Sequence, residues 1–499
     1  MKDQPNLNLR TILGIKVKKI REERHLTLSE LAEKTGLSPS YLAEIQAGKK
    51  YPKAEKVVAL AEALGVGYDE LISSKLDQAF GEVQSFLDAP GLRDFPFEKF
   101  GVPGRDLMKL LSHSPQQVGA LLRALSGIAR QYNIGVEHFL HASLRSYQEL
   151  TGNYYEDLEQ AAEAFGRELG PRPGKRITAD DLRGWVREQV APEIDERTLG
   201  QRPALASFRA VLVPGKRPRL LLNPQLSESQ KAFVLAREAA YARLGITSRS
   251  FTTPPDRDDS FTQVLDDYRA SYFAGAVLLP RQALVADLKA FFRQPTWQAE
   301  GLLRLLDAHD VTAETLMYRL SQLVPSQFGL PVHFLRFNDD GSDLRLVKQL
   351  NLSQLTVPPG ILASEHYCRR WLSTRLLVEL AAWQRRRPKN ARAPMVGVQH
   401  STFPDGKSFF CIGLAQPLPL QPGITSSLTL GFRVDERLHK VIRFAKDRTI
   451  PHTTINGTCE RCALGPEECR DRVAEPTAHG TQMARAERRR ELERLMGEG

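Results

Sequence analysis

The chain has no apolar run approaching the ~20 residues that a membrane-spanning helix needs, and its start has no secretory h-region. A cytoplasmic location without membrane contact is the expectation. Cysteine is scarce: five among 499 residues, three of them crowded into residues 459–469. That pattern excludes a secreted disulfide framework, and in a reducing compartment such clustering points to metal or redox chemistry. Acid is short relative to base, 59 residues against 69, for a formal charge of +10. The surplus suits a nucleic acid or an anionic ligand and says nothing about fold. Residues 1–80 hold 13 Lys and Arg against 11 Asp and Glu, so most of the surplus lies beyond them. Apolar residues are not lacking. At 41% of a chain this long, they suffice for several cores and for three or four domains.

The most informative stretch is residues 11–76. Leu28, Leu31 and Ala32 mark one helical face, and Gly36 ends that helix in the left-handed region. Ser38 can cap a second helix with Pro39 at its first position, carrying Tyr41, Leu42 and Ile45. Two short helices about a Gly-containing turn form a helix-turn-helix, whose second helix enters the DNA major groove. Ile15, Ile20 and Leu26 read as a preceding helix, and Val57, Val58, Leu60, Ala61 and Leu64 as a following one. This pattern resembles the lambda-repressor-like (XRE) family. The resemblance implies that Ser38, Ser40, Tyr41 and Glu44 face base edges and that Lys49 and Lys50 meet phosphate. Leu28 stands where many members carry Gln, so the backbone contact from that position is not carried over. Double-stranded operator DNA is the implied partner, and a homodimer the implied state.

Residues 77–170 read as a helical connecting region, with Val118, Leu121, Leu122, Leu125, Ile128, Ala129 and Tyr132 at amphipathic spacing. His138 and His141 lie three apart beside Glu137, a metal pair without an evident third ligand. Pro171–Gly174 marks a boundary, after which Thr178 and Asp181 form a capping box. Ala206–Val213 and Arg217–Leu222 suggest a hairpin about Pro214-Gly215, and Ser227 with Gln230 caps a helix running to Leu244.

That helix, followed by Asp267-Tyr-Arg-Ala-Ser-Tyr-Phe-Ala and Leu279-Pro280, resembles the IrrE-type zinc metallopeptidase fold. Such a site needs two His at i and i+4 on zinc and a Glu as general base. The two His positions hold Arg237 and Tyr241; Glu238 is retained, and Asp267 stands at the third ligand. A permanent guanidinium charge repels a metal cation. The expectation is therefore a non-enzymatic domain over residues 171–355, with Arg237 either paired with Asp267 or Glu238 in the metal's place or simply exposed. Val311–Leu323 reads as a helix and Val332–Phe337 as a strand of the same domain.

Residues 356–480 change character. Glu365–Trp371 opens what reads as a helix, and strands are expected at Met395–Thr402 and Ser408–Leu414. Cys459-x-x-Cys462 puts two thiolates within reach of one ion, and Cys469 returns after a loop. A tetrahedral site needs a fourth ligand, for which Cys368 is the candidate, with His366 behind it. By spacing alone, zinc and an iron–sulfur cluster fit equally well, with a redox dithiol as a further reading. Cys411, among apolar neighbours at strand spacing, reads as core.

A repressor-like head, a metallopeptidase-like middle without its His ligands and a terminal cysteine cluster resemble, in that order, the short-chain fatty acyl transcriptional regulator family. The resemblance implies a DNA-binding regulator of acetate or propionate metabolism, with acyl-coenzyme A as effector. It also implies a [4Fe-4S] cluster on Cys368, Cys459, Cys462 and Cys469. Arg385, Arg386, Arg387 and Lys389 form a basic run able to grip the phosphates of such an effector, or else a solvated loop. The expected architecture is multidomain α+β: a helix-turn-helix head (1–76), a helical connection (77–170), a degenerate peptidase-like domain (171–355), an α+β sensor domain (356–480) and a charged helical tail (481–499).

Overall fold

The computed structural model describes residues 4–72, 97–100, 136–170, 176–355, 357, 365–386 and 394–497. The expected helix at 118–132, the boundary at 171–174, and Arg387 and Lys389 lie outside the described residues. The chain divides into two compact units, residues 1–140 with 260–262, and residues 141–259 with 263–499.

The first unit is the head. Helices α1 (Gln4–Glu23), α2 (Leu28–Thr35), α3 (Pro39–Gln46), α4 (Ala54–Leu64) and α5 (Tyr68–Ile72) enclose Leu13, Val17, Leu31, Leu42, Ile45, Leu60 and Leu64. α2 starts on a capping box: the Thr27 hydroxyl accepts from the Glu30 amide, and the Glu30 carboxylate accepts from the Thr27 amide at 2.7 Å. Gly36 then takes φ +66°, which only glycine adopts freely, and the chain turns into α3. The buried face of α1 is carried by Leu13 and Val17, and Leu26 lies past its end. Gly14 is where α1 meets α3. A Cβ there would stand 2.3 Å from the Ile45 carbonyl oxygen, so the crossing requires a bare backbone.

Helix α6 (Val136–Leu150) runs from the first unit into the second, where α7 (Glu156–Glu168) precedes α8 (Ala179–Gln189), which Thr178 and Asp181 cap as expected. Strands β1 (Glu193–Asp195), β2 (Ala210–Val213), β3 (Arg219–Leu222) and β4 (Thr252–Thr253) form a sheet in the order β1-β3-β2-β4. The β2–β3 pair is the expected hairpin, shortened because residues 206–209 lead in as a loop. Next come α9 (Glu228–Arg243), capped by Ser227 and Gln230, then α10 (Phe261–Leu278), α11 (Arg281–Phe292), α12 (Ala299–His309) and α13 (Ala313–Phe328). A fully buried ion pair ties α7 to α13: Arg319 Nη1 and Nη2 lie 2.6 and 2.7 Å from the two Glu159 oxygens.

The six-stranded sheet has the order β10-β7-β8-β9-β5-β6, from β5 (Val332–Asp339), β6 (Leu344–Asn351), β7 (Met395–Thr402), β8 (Ser408–Pro417), β9 (Thr425–Arg433) and β10 (His452–Thr454). The expected boundary at residue 355 falls inside this sheet, because β5 pairs with β9 along its whole length. Alternation puts Phe334, Phe410, Ile412, Leu430 and Phe432 on one face, in a core with α13. Leu335, Phe337, Phe409 and Cys411 lie on the other face, under α14 (Leu372–Arg385). Cys411 is thus buried in a core, as the sequence suggests. Among the described residues no helix is long and apolar enough to cross a membrane. The chain ends in the exposed, charged helix α16 (Thr477–Gly497), after the short α15 (Glu436–Val441).

Candidate functional sites

On the head, Ser38 accepts from the Tyr41 amide at 3.2 Å and so caps α3, while Ser40 is exposed on its first turn. Tyr41 is half-buried. Lys56, at the start of α4, sets its ammonium 4.4 Å from the Tyr41 ring centroid, a cation–π contact the sequence did not disclose. Glu44 and Lys50 are paired at 2.7 Å, which raises the Lys50 pKa. Lys49 is exposed beside them. The six expected DNA-facing residues therefore lie on α3 and the turn after it, and Lys56 joins them.

The place where a peptidase would hold zinc is filled by a charge cluster. Arg237, 4% exposed on α9, puts Nη2 3.2 Å from Asp267 Oδ1 on α10 and donates from Nη1 to Thr253 Oγ1 at 2.5 Å. The Tyr241 hydroxyl donates to the same Asp267 oxygen. Burial and the Asp267 charge hold that phenol far above its usual range, opposed by Arg237. Glu238 is taken instead by Arg249, whose Nη2 lies 2.8 Å from its carboxylate and whose guanidinium sits 3.8 Å from the Tyr241 ring centroid. Of the two expected partners for Arg237, Asp267 is the one it meets. Arg249 comes from the loop before β4, with no spacing signal to mark it. His141, expected only as a weak metal candidate, pairs with Asp258 at 2.8 Å.

The cysteine cluster is assembled by two segments zipped backbone to backbone. Tyr367 bridges Thr458, the Cys368 amide donates to the Gly457 carbonyl, and the Cys459 amide donates to the His366 carbonyl at 2.8 Å. These pairings hold residues 365–371 extended and turned, so the expected helix begins only at Leu372. Arg461 grips Glu365 through two nitrogens, and Trp371 Nε1 donates to the Asn456 carbonyl at 2.6 Å. His366 is turned to Glu460, 2.7 Å away. Cys368, Cys459, Cys462 and Cys469 are each at most 7% exposed and, like Cys411, free of disulfides. Burial pushes the Cys368 thiol up to about 11, with Cys459 and Cys462 adding to it; burial and Cys462 likewise raise Cys469. Cys368 thus neighbours Cys459 and Cys462, and Cys469 neighbours Cys462. Even so, among the described residues no three His, Cys, Asp or Glu side chains stand as a ready cage for a single metal ion. Arg385 and Arg386 are exposed at the C-terminal end of α14, where cations also suit the helix dipole.

A helix-turn-helix family model matches residues 17–71, and the IrrE N-terminal-like domain matches residues 196–321. The propionyl-CoA carboxylase regulator of Cereibacter sphaeroides is 25% identical over 66% of this chain and 69% of its own. The HTH-type transcriptional regulator RamB of Mycobacterium tuberculosis is 23% identical over 91% of this chain and 92% of its own. An uncharacterized HTH-type transcriptional regulator of Sinorhizobium fredii, y4dJ, is 31% identical over 15% of this chain and 97% of its own. The chain belongs to the XRE-type helix-turn-helix transcriptional regulators that carry an IrrE-like domain.

Proposed function

We propose that this regulator governs short-chain acyl metabolism, and that its operator affinity answers to an acyl-coenzyme A ester and to an iron–sulfur cluster. The observation that carries the reading is the joining of two distant segments so that four thiols are buried together. Their loops are held by backbone hydrogen bonds and the Glu365–Arg461 pair, beside the shared apolar packing of Tyr367, Trp371 and Ile455. Four cysteinates suit a [4Fe-4S] cluster, whose cysteine sulfurs stand farther apart than those round one zinc ion at ~2.3 Å. When bound, the cluster would supply a redox- or iron-dependent lock on the two loops.

The acyl-coenzyme A part draws support from the name of the Cereibacter relative, a propionyl-CoA carboxylase regulator. Arg385 and Arg386 offer exposed guanidinium groups for the nucleotide phosphates. The IrrE-like domain serves as scaffold, since Arg237 and Tyr241 replace imidazole donors and are already engaged. Operator binding as a dimer follows the usual logic of helix-turn-helix heads. Effector control requires the ester to bind two states of the protein unequally.

The test is anaerobic purification followed by visible absorption and iron and sulfide analysis, then operator binding with a panel of acyl-coenzyme A esters. A broad iron–sulfur band and an ester-dependent affinity support the reading. A colourless, zinc-loaded protein whose DNA affinity ignores every ester overturns it.

A further inference from the structure

With 13 Lys and Arg against 11 Asp and Glu in its first 80 residues, the chain carries little of its +10 charge on the head. One stretch of the second unit concentrates it: residues 437–454 hold five Lys and Arg against a single Asp. The fold brings three of those cations to one exposed turn. A short 3-10 helix (Arg443–Lys446) buries Phe444 and Ala445, with the Phe444 ring centroid 5.1 Å from that of Phe291 and 5.5 Å from that of Trp297. Side chains three apart eclipse in such a helix, so Arg443 and Lys446, both exposed, leave it one above the other, about 6 Å apart along its axis. Arg448, also exposed, follows in the turn before β10. The one acid, Asp447, is already engaged: it accepts from the Trp297 amide at 3.0 Å and from the Thr449 amide and hydroxyl at 2.9 and 2.8 Å. Among the described residues, Arg443, Lys446 and Arg448 meet no carboxylate. Helix α15 packs beside this turn and adds Arg437, which donates to the Gly329 carbonyl at 3.1 Å, and Lys440, loosely paired with Glu436 at 3.7 Å.

Three unpaired cations within six residues repel one another, a cost that an anionic partner removes. The surroundings narrow that partner. None of the large apolar side chains that the described chain exposes lies between residues 433 and 454, whereas a protein interface or a membrane surface would call for some at its centre. A nucleotide held as a ligand would call for a concave, largely apolar site, and these cations stand on an outward-facing turn. Duplex DNA presents a negative charge every ~1.7 Å of its axis, and the head of this same chain is built to hold it. We infer that the turn from Arg443 to Arg448 is a second DNA contact of this regulator, one that meets backbone phosphates and reads no bases. It adds the sequence-independent affinity that a nearly neutral head supplies poorly, and it leaves the choice of site to α3.

The experiment is fluorescence-anisotropy titration of a random-sequence duplex of about 40 base pairs with the full chain, at salt from about 50 to 200 mM. The proteins are wild type, Arg448→Gln, and a triple variant with Arg443→Gln, Lys446→Gln and Arg448→Gln. Each lost phosphate contact should lower the slope of log affinity against log salt by about 0.9. The triple variant should therefore lose about 2.7 in slope and bind roughly 10- to 100-fold more weakly at the upper salt. Arg448→Gln should lose about 0.9, and it decides the matter if the triple variant does not fold. Selection of preferred sites from a random pool should return the same motif for wild type and triple variant. A salt slope that neither substitution alters overturns the contact, and a changed motif overturns the claim that it reads no bases. A triple variant that keeps its slope but no longer binds coenzyme A, measured by calorimetry, would assign the turn to a nucleotide ligand instead and also overturns the proposal.

Discussion

Arg237 meets Asp267 across the α9–α10 interface at 3.2 Å, where a metallopeptidase of the same fold would place a zinc ion between its ligands. One permanent cation has taken the place of another. Unlike zinc, the guanidinium is part of the chain, so the site needs no loading. Arg249 repeats the device on Glu238, at 2.8 Å.

Breaking the first pair should therefore be costly. Arg237→Ala leaves Asp267 buried beside Tyr241 without its cation, and should destabilise the second unit by about 3–5 kcal/mol. Arg237→Met with Asp267→Leu, which removes both charges, should cost less than Arg237→Ala alone. Denaturant unfolding of the wild type and the two variants measures this, and a double variant at least as costly as Arg237→Ala would show that the pair is not coupled.

The head offers a cleaner steric test. Gly14→Ala drives a methyl to 2.3 Å from the Ile45 carbonyl, and neither backbone can yield without moving a helix. A loss of about 1–3 kcal/mol in head stability is expected, with weaker DNA binding of every sequence. A thermal scan that shows no change would mean that α1 and α3 cross less closely than described.

Phosphate and base contacts should separate by salt. Lys49→Ala should lower the slope of log affinity against log salt by about 1 and leave sequence preference intact. Ser40→Ala should cost about 1–3 kcal/mol of discrimination at one base position with the slope unchanged. If Ser40→Ala alters only the slope, α3 lies differently in the groove.

Acid should reveal the buried His333 of β5, 2% exposed. His333 has its pKa depressed to about 3 by burial, so below about pH 6.5 the unfolded chain takes up a proton that the folded one refuses. Its stabilising contribution is complete above pH 6.5 and declines as pH falls toward 3, by about 1.4 kcal/mol per unit. His333→Gln should flatten that part of the stability profile. An unchanged profile would mean that the imidazole is solvated and not buried in the sheet.

How much of this was legible in the sequence depended on distance along the chain. The capping residues Thr178, Ser227 and Ser38, the Gly36 turn and the hairpin of β2 and β3 are local, and local chemistry fixes them. The loss of the His ligands at Arg237 and Tyr241 could also be read, because a helix imposes their spacing. Arg249, Lys56 and the Glu159–Arg319 pair could not: each partner comes from another element, and a charged residue in a loop carries no mark of burial. Residues 365–371 read as helical from composition, but Thr458 and Gly457 claim their backbone groups first. β5 and β6 read as belonging with the helices before them. β5 instead pairs with β9, some ninety residues ahead, and carries β6 on its other side.

The central claim is that the state of the cysteine loops and an acyl ester together set DNA affinity. The most direct measurement is anaerobic operator binding by wild type and by Cys459→Ser, with and without propionyl-coenzyme A. Wild type should show an iron–sulfur band and an ester-induced change of about five- to 150-fold in affinity, the usual range of coupling between sites. Cys459→Ser should lose the band and the ester response while its head still binds DNA. A wild type without the band, or an ester response that Cys459→Ser keeps in full, would contradict it.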